Sequence, residues 1–137
     1  MPTAKFPARF ESLEKISQFV VQAAREAGFD EAAVYAVELA VDEACSNIIE
    51  HAYAGEDEGD IQCSCQIANN DLKIVLRDNG RPFDPDSILE PNFGAPIEEL
   101  QPRGAGLFLM RKLMDEVKFE FAADSGNVLT MVKHREK

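Results

Sequence analysis

Positive charge is scarce in this chain, and long apolar runs are missing. The 137 residues carry 14 Lys and Arg against 25 Asp and Glu, which gives a formal net charge of −11. A surface of that sign repels nucleic acid and anionic membranes, so we expect neither as a direct partner. No apolar stretch reaches the roughly 18 to 20 residues of a membrane-spanning helix, so we expect no membrane span.

Cysteine is sparse as well. Cys45, Cys63 and Cys65 are an odd number, and no segment combines the basic start, apolar run and small-residue cleavage site of a secretion signal. Together these observations predict a protein of the reducing cytoplasm. Cys63 and Cys65 alternate on one face of a predicted strand, where cysteine is a common core residue, so we interpret them as core and not as metal ligands.

Apolar residues, 45% of the total, are numerous enough for the core of one domain spanning residues 1–137. Their spacing follows the helical period in some segments and alternates in others. We predict an edge strand at 5–10, helices at 12–28, 30–53 and 106–114, and strands at 59–68, 72–76, 117–121 and 128–132. The expected fold class is α+β, a two-layer α/β sandwich with helices on one face of a mixed, mainly antiparallel sheet.

The segment 79–103 lacks any regular pattern. It holds five of the seven prolines, which exclude a continuous helix or a central strand. Loops of this length inside a domain are usually functional, so we expect a role at the site.

Glu43 and Asn47 lie one turn apart on the second predicted helix, beside its apolar stripe. One interpretation is a solvated glutamate and a surface asparagine. The other is chemical, because an asparagine carbonyl is a hard oxygen ligand suited to Mg²⁺, and a nearby carboxylate can orient or deprotonate an attacking hydroxyl.

Asp78, Asn79 and Gly80 follow the strand predicted at 72–76, in sequence that also fits a plain turn. An aspartate at a strand end can accept a hydrogen bond from the exocyclic amine of adenine, and Gly80 would let the base approach the backbone. Gly104 and Gly106 form a weaker motif, since glycines open many helices, but a helix that follows them directs its positive end toward phosphate.

With all three motifs in place, the chain resembles the GHKL ATPase superfamily, whose fold is also called the Bergerat fold. The resemblance rests on residues 41–53 (VDEACSNIIEHAY), 78–85 (DNGRPFDP) and 103–110 (RGAGLFLM), and within the superfamily these look like the anti-sigma factor serine kinases of bacteria. The resemblance implies ATP and Mg²⁺ as ligands, with an ATP lid at about 79–103. The residues to which it assigns roles are Glu43 as general base, Asn47 as Mg²⁺ ligand, Asp78 as adenine acceptor, Gly80, Gly104 and Gly106 as pocket glycines, Arg103 near phosphate, and Ala105 and Leu107 within the second glycine box.

Two positions depart from the superfamily pattern. Gly126 is followed by Asn127, where members commonly have a threonine that supports the adenine-binding aspartate through water. Asparagine can still form hydrogen bonds. Ala105 offers only its backbone where a small or basic residue is frequent, which gives Arg103 more weight.

The resemblance implies a kinase that transfers the γ-phosphoryl group of Mg-ATP to a serine or threonine of a small protein antagonist and sequesters a sigma factor. It also implies a homodimer formed near the N-terminal strand. The alternative is a nucleotide-dependent binding module without kinase activity. Glu43 favours the enzyme, because a pure binding module needs no general base.

Overall fold

The computed structural model describes residues 2–53, 59–81, 106–122 and 126–135. Within these ranges the chain forms five strands and three α-helices. The strands are β1 (Thr3–Pro7), β2 (Asp60–Ala68), β3 (Asp71–Asp78), β4 (Glu116–Ala122) and β5 (Gly126–His134), and the helices are α1 (Leu13–Glu26), α2 (Glu31–Asn47) and α3 (Gly106–Leu113). A 3-10 turn, Phe10–Ser12, leads into α1, and a π-helical segment, Ile48–Ala52, follows α2.

The strands form one sheet in the order β1-β2-β3-β5-β4, and every described pairing is antiparallel. The predicted α+β fold is confirmed, although the sheet is antiparallel in all its described pairings and not mixed. The last strand lies inside the sheet, between β3 and β4. As a result the first residues of β5 lie beside the last residues of β3.

The core lies between the helices and one face of the sheet. Alternate residues of the inner strands are buried there, as the period of two requires. The cysteines belong to this core and are unbridged, and burial raises the pKa of the Cys45 thiol. The largest buried strand side chains are Ile61, Leu72, Ile74, Leu76 and Met131.

Some boundaries differ from the predictions. β1 is an edge strand, as predicted, but it spans Thr3–Pro7 because the chain turns after Pro7 into the 3-10 segment. That turn brings Ser12 into α1 already in helical conformation, so its side chain forms no cap hydrogen bond. Ile67, which alternates with Cys63 and Cys65 along β2 and was therefore expected in the core, is 44% exposed.

None of the helices in the described part of the chain is long and apolar enough to cross a membrane.

Candidate nucleotide-binding site

Asn47 is the last residue of α2 and lies on the buried side of that helix. Its exposed fraction is 4%, so the interpretation as a surface asparagine is wrong. Asp30 caps the start of α2 by accepting a hydrogen bond of 2.8 Å from the amide of Ala33. Glu43, one turn before Asn47, is partly exposed. The helix therefore carries a buried amide and a partly exposed carboxylate one turn apart.

Asp78, the last residue of β3, is also 4% exposed. Its Oδ1 accepts hydrogen bonds from the backbone amide of Gly80 at 2.9 Å and from Nδ2 of Asn127 at 2.8 Å. Burial raises the pKa of this carboxyl above its usual value, while the two hydrogen bonds oppose the shift. Both hydrogen bonds end on Oδ1, and none to Oδ2 is found among the described residues.

Gly80 has no room for a side chain. A Cβ atom at this position would lie 2.5 Å from the carbonyl oxygen of Ala52. The next residue, Arg81, donates its backbone amide to that same oxygen at 2.7 Å. The turn after Asp78 thus packs directly against the end of the π-helical segment, and glycine is required at this close approach.

Asn127 connects the start of β5 to the end of β3, and the two residues are register partners. Its Nδ2 also lies 3.2 Å from the carbonyl oxygen of Gly80 and 3.1 Å from that of Arg81. Its Oδ1 is buried and has no hydrogen-bond partner among the described residues. Because an unsatisfied buried polar atom costs about 1–3 kcal/mol, this oxygen is a place where a ligand or a water molecule would gain a hydrogen bond.

These polar residues line one small, partly open cavity. Its walls include the polar Asn47, Asp78 and Asn127 and the apolar Met110, Phe119 and Phe121. The two phenylalanine rings are stacked, with centroids 6.2 Å apart and planes 11° apart. An apolar slot with a few converging polar groups is the usual form of a small-molecule site.

The apolar wall was missed in the sequence. Phe119 and Phe121 alternate within a predicted strand, and that spacing does place them on one face. Nothing in the sequence, however, tells which strand pairs with the strand that carries these two rings. Their contribution depends on β5 lying between β3 and β4.

The second glycine box is only partly described. Gly106 begins α3, and Leu107 lies in the first turn of that helix. Arg103, Gly104 and Ala105 lie outside the described residues, as does most of the predicted lid, and so does the side chain of Leu107. The predicted roles of these residues at phosphate remain predictions.

A family model for the histidine kinase-like ATPase domain matches residues 6–133. That match covers almost the whole chain. The chain belongs to this family.

Individual relatives of this histidine kinase-like ATPase are named as serine-protein kinases. Serine-protein kinase RsbW of Halalkalibacterium halodurans is 35% identical over 131 residues, which are 93% of this chain and 78% of the relative. Serine-protein kinase RsbW of Bacillus anthracis is 32% identical over 134 residues, which are 95% of this chain and 82% of the relative. The family resemblance predicted from the three motifs is therefore confirmed.

Solved structures with similar coordinates agree on the fold of this histidine kinase-like ATPase. The RsbU and RsbW domains of Rv1364c from Mycobacterium tuberculosis match with a TM-score of 0.68 at 17% identity, over 98% of this chain and 32% of that one. This chain spans about a third of the length of that protein. The catalytic domain of histidine kinase ThkA matches with a TM-score of 0.56 at 15% identity, over 98% and 97% of the two chains.

Proposed function

We propose that this histidine kinase-like ATPase is an anti-sigma regulatory factor with protein serine/threonine kinase activity. It would phosphorylate a small protein antagonist with ATP and sequester a sigma factor in the cytoplasm. The observation that carries the proposal is the buried Asp78, which shares a cavity with Asn47 and keeps one carboxylate oxygen for a ligand. Relatives named as serine-protein kinases support the reaction type.

The base end of the site is Asp78. Oδ2 would accept a hydrogen bond from the exocyclic amine of adenine, while Oδ1 is held by Gly80 and Asn127. Guanine has a carbonyl oxygen at the corresponding position, and two acceptors facing each other in a buried site repel. The aromatic rings of Phe119 and Phe121 supply an apolar wall for a base. The arrangement thus favours ATP over GTP.

The phosphate end would use Asn47 and the second glycine box. Asn47 is buried in the cavity and has a carbonyl oxygen of the kind that Mg²⁺ binds, so the residue fits the role of metal ligand. Mg²⁺, when bound with the nucleotide, supplies charge neutralisation at the phosphates. The start of α3 at Gly106 is a helix N-terminus, which favours anions. We assign Gly104, Ala105, Leu107 and Arg103 to the same end.

Glu43 would act as the general base. It would accept the proton of the antagonist's serine or threonine hydroxyl as that oxygen forms its bond to the γ-phosphorus of ATP. The bond from the γ-phosphorus to the bridging oxygen breaks at the same time, and ADP leaves. A positioned base contributes typically 10²–10⁴ to such a rate.

The domain proposed here is residues 1–137, with the ATP lid at about 79–103. Residues 79–81 form its anchored beginning, because the amides of Asn79 and Arg81 and the carbonyl groups of Gly80 and Arg81 are all hydrogen-bonded. A homodimer formed near β1 is part of the proposal, since β1 pairs with β2 alone among the described strands and leaves an edge to pair.

Incubation with γ-labelled ATP and candidate antagonists encoded near the protein's own gene tests the proposal. Label on a serine or threonine of one antagonist, lost in Glu43→Gln, is the expected result. ATP binding without transfer to any candidate would instead favour the nucleotide-dependent binding module. Pull-downs would recover a sigma factor with ATP and the antagonist with ADP. A nucleotide can select the partner in this way only if ATP and ADP differ in their affinity for the two partner-bound states. Absence of ATP binding in calorimetry would overturn the nucleotide site itself.

A further inference from the structure

Tyr53 lies where the helix that carries Asn47 meets the turn that follows Asp78. It comes directly after the π-helical segment, and its amide bonds the carbonyl oxygen of Ile48, five residues back, at 3.2 Å. π-helical turns are rare and frequently occur at functional sites. Tyr53 is the last residue of the motif 41–53, but it has no role assigned there, and the mechanism above makes no use of it.

The Tyr53 hydroxyl forms two hydrogen bonds to two separate segments. It donates to the carbonyl oxygen of Asp60 at 2.8 Å, and it accepts from the backbone amide of Asn79 at 2.9 Å. The directions are fixed, because an amide can only donate, a carbonyl can only accept, and a hydroxyl has one hydrogen. Burial raises the pKa of this phenol above its usual value, so the hydrogen stays on the oxygen at neutral pH.

The ring of Tyr53 occupies space that only glycine leaves open. Gly59 has φ +105, and a Cβ atom there would lie 2.6 Å from Cε1 of the Tyr53 ring. The ring is therefore held against the backbone at the start of β2, which limits where the hydroxyl can point. The hydroxyl reaches Asn79 from a fixed direction.

Asn79 is the residue next to Asp78, and its amide belongs to the turn 79–81. On one side this turn is held by Asn127. On the other side it is held by two groups from the end of the π-helical segment, the carbonyl oxygen of Ala52 and the hydroxyl of Tyr53. The second side connects the position of Asp78 to the helix of Asn47.

We propose that Tyr53 is a positioning residue for the nucleotide, which holds the turn 79–81 against the end of the Asn47 helix through its hydroxyl. This role rests on the proposed ATP site. Tyr53 fixes the separation between the base end and the phosphate end of that site. Removing its hydroxyl lets the turn move and weakens ATP binding without removing any group that contacts the reacting atoms.

Tyr53→Phe is the test, and Tyr35→Phe is its matched control. Tyr35 is the other tyrosine of the chain and is 58% exposed on α2. Both changes delete one hydroxyl and keep the ring. Three quantities are measured for each variant: hydrogen exchange of the Asn79 amide without nucleotide, KM for ATP, and kcat at saturating ATP.

Tyr53→Phe is expected to lower Asn79 amide protection and to raise KM about 3- to 10-fold, the effect of one or two lost hydrogen bonds, with kcat nearly unchanged. Tyr35→Phe should change none of the three. A merely structural role would reduce the folded fraction and leave KM as it is.

An unchanged Asn79 amide, or a changed amide with unchanged KM, would overturn the positioning role. Failure of the wild type to bind ATP would contradict the kinase proposal. The exchange experiment, which contains no nucleotide, would still decide whether Tyr53 holds the turn.

Discussion

The two ends of strand β3 use the same device in opposite surroundings. At each end an aspartate bonds the side chain of its register partner on β5: Asp78 bonds Asn127 at 2.8 Å, and Asp71 bonds His134 at 2.7 Å. Asp78 is 4% exposed, whereas the side chains of Asp71 and His134 are 44% and 50% exposed.

Solvent decides what each pair can do. The exposed pair competes with water and is screened by salt, so its net contribution is small. The buried pair is removed from water, so each polar atom there needs a hydrogen-bond partner from the protein or from a ligand. Only the Asp78 end is therefore suited to recognise a small molecule.

The largest expected difference between the surroundings of the two ends of β3 is in the rate of phosphoryl transfer. Glu43→Gln should lower phosphoryl transfer to the antagonist by about 10²–10⁴, because the amide cannot accept the hydroxyl proton, while ATP binding persists. Glu116→Gln, a change of the same kind beside His134, should leave transfer unaltered. Rates from labelled ATP measure both. Equal rates in wild type and Glu43→Gln would remove Glu43 from the chemistry.

A pair of matched variants, Asp78→Asn and Asp71→Asn, tests the same comparison through ATP binding. Asp78→Asn keeps the shape but turns an acceptor oxygen into a donor amide, at a cost of roughly 1–3 kcal/mol in a buried site. ATP affinity should fall roughly 5- to 150-fold, since every 1.4 kcal/mol corresponds to a factor of ten. Asp71→Asn should bind ATP like the wild type. Titration calorimetry with ATP and GTP separates the outcomes, and equal affinity of the wild type for both nucleotides would contradict the role of Asp78.

The partners on β5 should differ in their effect on stability. Asn127→Ala removes the hydrogen bonds to Asp78, Gly80 and Arg81 and should lower the free energy of unfolding by roughly 1–3 kcal/mol. His134→Ala should leave the free energy of unfolding nearly unchanged, as exposed substitutions usually do. Urea unfolding gives both values. A His134 effect as large as the Asn127 effect would mean that burial does not separate the two ends.

The smallest effect is a pH dependence confined to the exposed end. A hydrogen bond to Asp71, with Asp115 and Glu116 nearby, raises the pKa of His134 above its ordinary value of 6.5. A raised folded-state pKa stabilises the fold fully below the unfolded value and loses that effect as the pH rises through the folded value. Wild type should thus exceed His134→Gln in urea midpoint at pH 5.5 and match it at pH 9. A gap of constant size across this range would argue against the histidine's charge.

Sequence periodicity located the α-helices and strands of the described residues, though not all of their ends, because these elements repeat their apolar residues regularly. It also placed Asp78 at a strand end, since the run Leu72, Ile74, Leu76 stops there. The sequence could not predict the bond between Asp78 and Asn127, which are 49 residues apart, because that contact depends on the order of strands in the sheet. The only sign of this contact in the sequence was Asn127 itself, which follows Gly126 where members of the superfamily commonly have threonine.

The end of the second helix was beyond prediction for a local reason. The apolar pattern of α2 continues smoothly through Ile48 and Ile49, so nothing marks the change from α to π geometry at Asn47. At the end of the π-helical segment the carbonyl oxygen of Ala52 accepts a hydrogen bond from the amide of Arg81, a contact with another segment that local periodicity does not encode. Tyr53 was overlooked for the same reason.

Because β5 lies inside the sheet, the parts of the site come together in a fixed order during synthesis. Asn47 and Asp78 leave the ribosome early, but the side chain that holds Asp78 comes from β5, which must enter between β3 and β4. Chains emerge from the N-terminus, and strand pairings between distant segments form late. A nascent chain that stops before residue 126 lacks Asn127, whose side chain bonds Asp78. In the proposed site, nucleotide binding would therefore require that β5 has been made and inserted.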